Sequence, residues 1–219
     1  MSNDASAGGT PKDETTSSGG EFDPGEPLPI FGLGTVLFPG AWLPLRVFEA
    51  RYVDMTRACL KSGRPFGVCL IVEGREVGQP ATPHKVGCLA HIVDCDMQQL
   101  GVLQLRTSGG RRFRIKDYSV NSQGLVVANA GLLAQPAAVP LPEEYANCAQ
   151  RVELIISKHG ERVFPAPHLL DDAEWVGFRL AELLPLPLGT RQKLLEMNDP
   201  LQRLAVLQQM LTGADPQKA

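Results

Sequence analysis

The chain has 219 residues, of which 43% are hydrophobic, and this is enough to bury a core without a metal ion or a disulfide. Its formal charge of −3 gives no overall attraction to nucleic acid or to anionic membranes, so either partner would need a local patch. No apolar run is long enough to span a bilayer. We therefore expect no membrane partner.

Residues 1–27 are rich in Ser, Thr, Gly, Asp and Glu and lack the apolar segment of a signal peptide. Such a composition cannot bury enough apolar surface to offset the entropy lost on ordering, so we expect a disordered tail. A second short tail is expected at residues 214–219.

The first apolar stretch predicts two strands, a rigid turn between them and a helix after them. Residues 28–33 have the length and composition of a strand. Phe38-Pro39-Gly40 is a turn signature, since proline fixes φ and glycine supplies the positive φ that a type II turn requires.

The second strand of this unit alternates between two faces over residues 42–48. Trp42, Arg46 and Phe48 lie on the face opposite to Leu43, Leu45 and Val47. Pro44 cannot donate a hydrogen bond to a neighbouring strand, which predicts an edge strand or a bulge.

A helix is predicted over residues 49–62, with Gly63 at its C-terminal cap. Further strands are predicted at 66–72, 87–96, 101–107, 111–116 and 125–130. Ser108-Gly109-Gly110 has the composition of a hairpin connection between the third and fourth of these. The spacing favours a closed or half-closed barrel over alternating βαβ units.

From residue 142 the hydrophobic period changes from two to 3.6, which predicts a helical bundle. Asp171 or Asp172 can cap the second helix, and Thr190 the third. Asp199 followed by Pro200 predicts the start of the last. The fold class is therefore α+β, with a β-barrel over residues 28–135 and a helical bundle over 140–213.

The sequence has no motif that predicts a catalytic residue, a cofactor or a metal. Its Gly-Arg junctions lack the frame of a phosphate-binding loop, and its four histidines have unrelated spacings. Ser157-Lys158-His159 places a nucleophile beside a base, but these residues lie at a predicted helix C-terminus, which Lys and His favour electrostatically. We expect a protein that is not an enzyme.

The five cysteines are odd in number, form no C-x-x-C pair and lie mostly in apolar runs. We interpret them as buried free thiols, which are typical of a reducing compartment, and we expect the protein in the cytoplasm.

One charged cluster stands out, at Arg106, Arg111, Arg112, Arg114 and Lys116 across the predicted hairpin. With Phe113 and Ile115 facing the core, Arg112, Arg114 and Lys116 would point outward. The cluster fits a phosphate-binding face, and it equally fits a strand that is kept basic to discourage edge pairing.

Several ordered segments resemble one known family, the N-terminal substrate-binding domain of Lon proteases. They are LPIF at 28–31, VLFPG at 36–40, LPLRVFEARY at 43–52, FGVCLI at 66–71, VGCLAHIVD at 86–94, GGRRFRI at 109–115 and ELLPLPLGTRQKLLEMNDPLQRLAVL at 182–207. The resemblance extends from residue 28 to about residue 211. It implies a PUA-like, six-stranded β pseudo-barrel followed by a helical bundle.

In function, the resemblance implies binding of unfolded or specific polypeptides. Full Lon proteins also carry an ATPase domain with a Walker A loop and a Ser-Lys protease domain. The sequence contains neither motif and therefore resembles the stand-alone bacterial proteins of this type. Proteolysis is not implied; the expected partner is a polypeptide segment or another protein, such as a protease or a chaperone.

The candidate polypeptide-binding residues are Phe38, Trp42, Arg46, Glu49 and Arg51. Phe38 can instead fill the core, and Arg46, Glu49 and Arg51 can form structural ion pairs near the start of the first helix. The alternative function is RNA binding by the basic residues Arg106, Arg111, Arg112, Arg114 and Lys116, an analogy with other PUA-like barrels.

Overall fold

The computed structural model describes residues 22–135, 137–160 and 164–213. Residues 1–21 of the first expected tail and all of the second, residues 214–219, lie outside this described part. Residues 22–27 of the first predicted tail belong to the described part, and Phe22 is buried there in a core cluster with Leu28 and Ile30. Glu26 also forms an ion pair with Arg64.

The described part contains seven strands, five α-helices and one 3₁₀ turn at Glu143–Tyr145. The strands are β1 Leu28–Leu33, β2 Trp42–Val47, β3 Phe66–Glu73, β4 Thr82–Pro83, β5 Val86–Gln99, β6 Val102–Val120 and β7 Val126–Leu132. The helices are α1 Ala50–Ser62, α2 Ala146–His159, α3 Ala173–Leu183, α4 Leu188–Glu196 and α5 Pro200–Gly213. None of these helices is both long and apolar enough to cross a membrane.

Strand β1 closes the sheet into a ring because it pairs on both sides, antiparallel with β7 and parallel with β3. The order β1-β7-β6-β5-β3 therefore returns to β1, while β2 extends from β6 and β4 from β3. This confirms the expected α+β fold with a barrel-like ring. There are seven strands rather than six, because the loop after β3 contributes the two-residue strand β4.

The hairpin connection predicted at Ser108-Gly109-Gly110 is wrong. These residues lie inside the 19-residue strand β6, and the turn comes earlier, at Gly101, whose φ is 81°. The two glycines provide space instead of a turn: a Cβ on Gly109 would collide with the carbonyl oxygen of Phe38, and one on Gly110 would lie 2.7 Å from Nε2 of His91.

The barrel interior is filled by Phe113, which is fully buried and faces inward as predicted. A Cβ on Gly67 would lie 2.6 Å from Cζ of this ring, and one on Gly87 would lie 2.7 Å from it. Both positions must therefore be glycine for the ring to fit between the strands.

Helix α1 ends as predicted, with Gly63 in the left-handed conformation at φ 71°. The carboxylate of Asp172 caps α3 by accepting the Trp175 N–H at 2.7 Å, and Asp199 Oδ1 accepts the Leu201 N–H at 2.9 Å before α5. The predicted Thr190 cap is wrong, because α4 already starts at Leu188. The carbonyl of Pro187 accepts the Thr190 N–H at 2.9 Å and so begins the helix earlier.

Buried polar contacts join the bundle to the barrel. Arg112 Nη1 donates to the carbonyls of Leu195 and Met197, both at 2.8 Å. Arg179 Nη2 donates to the carbonyl of Pro39 at 2.5 Å, and Gln192 Nε2 to that of Val86 at 3.0 Å. These bonds fix the position of α3 and α4 on β5, β6 and the β1–β2 turn.

Candidate functional site

Two concavities of the described part contain residues that the sequence singled out. The first, which we call the β2 groove, has a volume of about 370 Å³ and lies along β2. The second, the interlobe cleft, has a volume of about 520 Å³ and lies between the barrel and the bundle.

The β2 groove is lined on one side by the consecutive residues Leu43–Glu49. The buried rings of Phe31 and Tyr52 also line it and stack with their centroids 4.0 Å apart. Glu76 and Val77, from the loop after β3, complete it. The groove thus combines a strand, an aromatic pair and a loop.

The loop over this groove is held at two points. Glu76 Oε1 accepts the Gly34 N–H at 2.5 Å, and Glu49 Oε2 accepts the Gly78 N–H at 3.3 Å. Glu49 is in turn paired with Arg51, whose Nη2 lies 3.0 Å from Oε2. The ion pair of Glu49 with Arg51 at the start of α1 therefore helps to hold the loop that completes the groove.

Arg51 is only 6% exposed, and its Nη1 donates to the carbonyl of Gly124 at 2.9 Å. This guanidinium fixes Glu49 and the β6–β7 turn to α1. Of the two expectations for Glu49 and Arg51, the geometry agrees with the structural ion pair.

Two large apolar side chains of the groove are exposed, Phe48 by 52% and Val77 by 55%. The β5–β6 turn lies close to β2, since Arg46 Nη2 is 3.5 Å from Oε1 of Gln99. Beside Gln99, Leu100 is 93% exposed. Phe48 and Val77 thus share one groove, and exposed apolar side chains that cluster are more informative about an interaction surface than scattered ones.

The interlobe cleft is lined by His91 and Arg112 from the barrel, by the linker at Leu133, and by Glu174 and Trp175 from α3. Arg112 is 4% exposed, and its Nη2 lies 4.0 Å from Oε1 of Glu174. Burial is the main cause that raises the pKa of Glu174, against the lowering effect of Arg203 and Arg112. Burial likewise lowers the pKa of His91, so the imidazole is neutral at pH 7.

The sequence from residue 27 to residue 213 matches the family described as the ATP-dependent protease La (LON) substrate-binding domain. The chain belongs to this family. What it shares with Lon is thus the substrate-binding part of the protease rather than the ATPase or the protease part.

Solved structures agree with this assignment. The Lon substrate-binding domain described here is similar to the crystal structure of a Lon N-terminal domain protein from Xanthomonas campestris, with 41% identity and a TM-score of 0.70 over 85% of this chain and 98% of that one. It has the same fold as the N-terminal domain of a Mycobacterium avium complex Lon protease, with 17% identity and a TM-score of 0.58 over 86% and 100%. No curated protein matches the chain.

Some of the candidate polypeptide-binding residues of this Lon substrate-binding domain lie at the surface and others are buried. Arg46 and Glu49 line the β2 groove. Trp42 is half-buried at the start of β2, with the Arg106 guanidinium 5.2 Å from its ring centroid. Phe38 is 1% exposed and packs on Phe178. It therefore belongs to the core, as the alternative prediction had it, and is not part of a binding surface.

The basic residues of the alternative function lie along one strand instead of around a hairpin. Arg112 was expected to point outward; it is buried because α3 and α4 cover that part of β6. Arg106, Arg111, Arg114 and Lys116 are exposed, and the ten residue-to-residue steps from 106 to 116 span roughly 33 Å of strand. RNA binding stays a prediction, now with four exposed cations instead of five.

The sequence analysis missed Phe48 and Val77 as site residues, although signals for both were present. Phe48 continues the outward alternation of Trp42 and Arg46, and Val77 is an apolar residue in a polar, glycine-containing loop. Only the three-dimensional structure brings the two onto one groove.

Proposed function

We propose that this domain binds unfolded polypeptide segments in the β2 groove. The observation that carries the proposal is the pair Phe48 and Val77, two apolar side chains more than half exposed on one groove of a Lon substrate-binding domain. Folded proteins keep their long apolar segments inside, so a surface that buries apolar side chains selects unfolded chains. Each such side chain contributes roughly 1.5–3 kcal/mol when fully buried.

We further propose that the domain acts without catalysis, as an adaptor or scavenger in the bacterial cytoplasm, and that it hands its substrates to a separate protease or chaperone. The membership in a substrate-binding family supports the first part. The cytoplasmic location is supported by the free cysteines Cys59, Cys69, Cys88, Cys95 and Cys148, of which all but Cys95 are buried.

The test is a binding titration with fluorescein-labelled lactalbumin that has been reduced and carboxymethylated, so that it cannot fold. Native lactalbumin with the same label is the comparison. We expect the anisotropy to rise with the unfolded probe only. The double variant F48S/V77S should weaken binding by about tenfold or more, corresponding to about 1.4 kcal/mol.

The matched control is the double variant L60S/L154S, which removes two side chains that are 47% and 59% exposed but lie outside the groove. Its affinity should stay within about twofold of the unchanged protein. Equal losses in the two double variants would refute the β2 groove as the binding site, and equal binding of native and unfolded lactalbumin would refute the function.

A further inference from the structure

Strand β2 has a free backbone edge. Within the described residues it pairs with β6 alone, Trp42–Val47 lying opposite Leu103–Ser108. Its other edge borders the β2 groove, whose lining includes Leu43–Val47 without interruption. The groove is therefore bounded by hydrogen-bonding backbone as well as by apolar side chains.

The register shows which residues point to this edge. The Gly40 N–H donates to the carbonyl of Gly109 at 2.7 Å, and the Gly109 N–H donates to that of Ala41 at 2.8 Å. Gly109 thus directs its backbone groups toward the β2 side, and by alternation Leu103, Leu105 and Thr107 do the same.

The β2 residues opposite these three are Leu43, Leu45 and Val47, so their backbone groups point to β6. The groups of Pro44 and Arg46 then point into the groove, and those of Trp42 point to the same side of β2 just beyond the groove lining. Proline fits this pattern, because its missing N–H removes no bond between β2 and β6. The free edge therefore offers two N–H donors, of Trp42 and Arg46, and three carbonyl acceptors.

We infer that the bound polypeptide joins β2 as an additional strand. The inference rests on the proposed function and states how the same groove holds its substrate. Backbone hydrogen bonds are independent of sequence, whereas alternate apolar side chains of the added strand pack on Phe48 and Val77. A segment in this position must be extended and must lack proline where it donates to β2, which selects unfolded chains.

A second copy of the domain is a poorer occupant than an unfolded chain. Pro44 and Arg46 are residues of the kind that keep identical sheet edges from pairing, since proline lacks a donor and two arginines repel each other. A substrate segment, in contrast, need not have a proline or an arginine opposite these two residues.

The first test compares two substitutions of one residue, R46P and R46A. Both remove the guanidinium, but only proline also removes the N–H that points into the groove, and proline is compatible with an edge strand. With the unfolded lactalbumin probe, we expect R46P to bind about fivefold more weakly than R46A, or worse. Circular dichroism checks that both variants are folded.

The second test needs no variant and follows backbone amides by NMR hydrogen exchange. Without the probe, the amides of Trp42 and Arg46 should exchange fast and that of Leu45 slowly. With a saturating probe, the first two should slow by about tenfold or more, while Leu45 stays as it is.

The outcomes separate the two proposals. If the unchanged protein does not bind the probe, the proposed function fails. If it binds while Trp42 and Arg46 exchange as before and R46P equals R46A, only strand addition is overturned. Protection of the same amides in the absence of probe, together with a dimer in analytical ultracentrifugation, would make the occupant a second copy and would also overturn the inference.

Discussion

The β2 groove and the interlobe cleft differ in what their linings present: the groove has an exposed apolar pair, whereas the cleft has a buried arginine that bonds to the protein itself. The cleft is the larger, but Arg112 in its wall is committed to the Leu195 and Met197 carbonyls and lies beside Glu174. The smaller groove exposes Phe48 beside an edge of β2 that none of the described strands pairs with. We therefore assign the cleft a structural role and propose the groove as the binding surface. The size of a concavity is thus a weaker guide than the state of its lining groups.

The largest expected effect is on the cleft, in the variant R112M. It removes the side-chain donor of the Leu195 carbonyl and one of the two arginines near Glu174, while the Met197 carbonyl keeps Arg203 Nη2 at 2.6 Å, so the free energy of unfolding should fall by about 3–5 kcal/mol. Urea unfolding measures this. R114M, an exposed arginine on the same strand, is the control and should stay within about 0.5 kcal/mol. A small loss in R112M would contradict the structural role of the cleft.

The next effect falls on the groove, in the variant E49Q. It removes the charge that pairs with the buried Arg51, which should cost about 1–3 kcal/mol and loosen the loop at Gly78. We expect weaker binding of unfolded lactalbumin together with a lower melting temperature. E73Q, in the exposed last residue of β3, is the control. Unchanged affinity in E49Q would show that the loop is not part of the site.

A third expectation concerns pH and the carboxyl of Glu174, whose pKa burial raises above 4.5. The folded state then keeps the proton at pH values where the unfolded carboxyl has already lost it. This group therefore adds stability as pH falls from neutral toward 4.5, and loses it as pH rises through the folded pKa. Relative to E174Q, the unchanged protein should thus gain stability on acidification. Melting temperatures between pH 4.5 and 7.5 measure the difference, and parallel curves would contradict it.

The smallest expected effects come from the double charge reversal R114E/K116E on β6. Both side chains are exposed and lie outside both concavities. Stability should stay within about 0.5 kcal/mol and polypeptide affinity within about twofold. The same variant tests the RNA alternative: a gel shift that the unchanged protein shows at low salt, and that both added salt and R114E/K116E abolish, would support RNA binding.

Much of the fold was predictable from the sequence because it depends on local signals. The change of hydrophobic period near residue 142 separated barrel from bundle, and Gly63, Asp172 and Asp199 marked helix ends through their own backbone or side-chain chemistry. The alternation over β2 predicted its inner and outer faces, and Pro44 predicted an edge or a bulge, of which the pairing of β2 with β6 alone among the described strands favours the edge. The family resemblance was likewise present in the residues themselves.

Other features were decided by residues far away in the chain. Gly109 is of a residue type that is common in turns, but it lies within strand β6. Glycine is required there because the Phe38 carbonyl approaches too closely for any side chain. Arg112 alternates like an exposed residue, but it is buried because α3 and α4 cover it. Alternation tells which residues share a face; only the tertiary structure decides whether another element covers that face. For the same reason the sequence limited β2 to an edge or a bulge through Pro44, whereas the tertiary structure made it an edge and the packing of the loop at Val77 made that edge a groove.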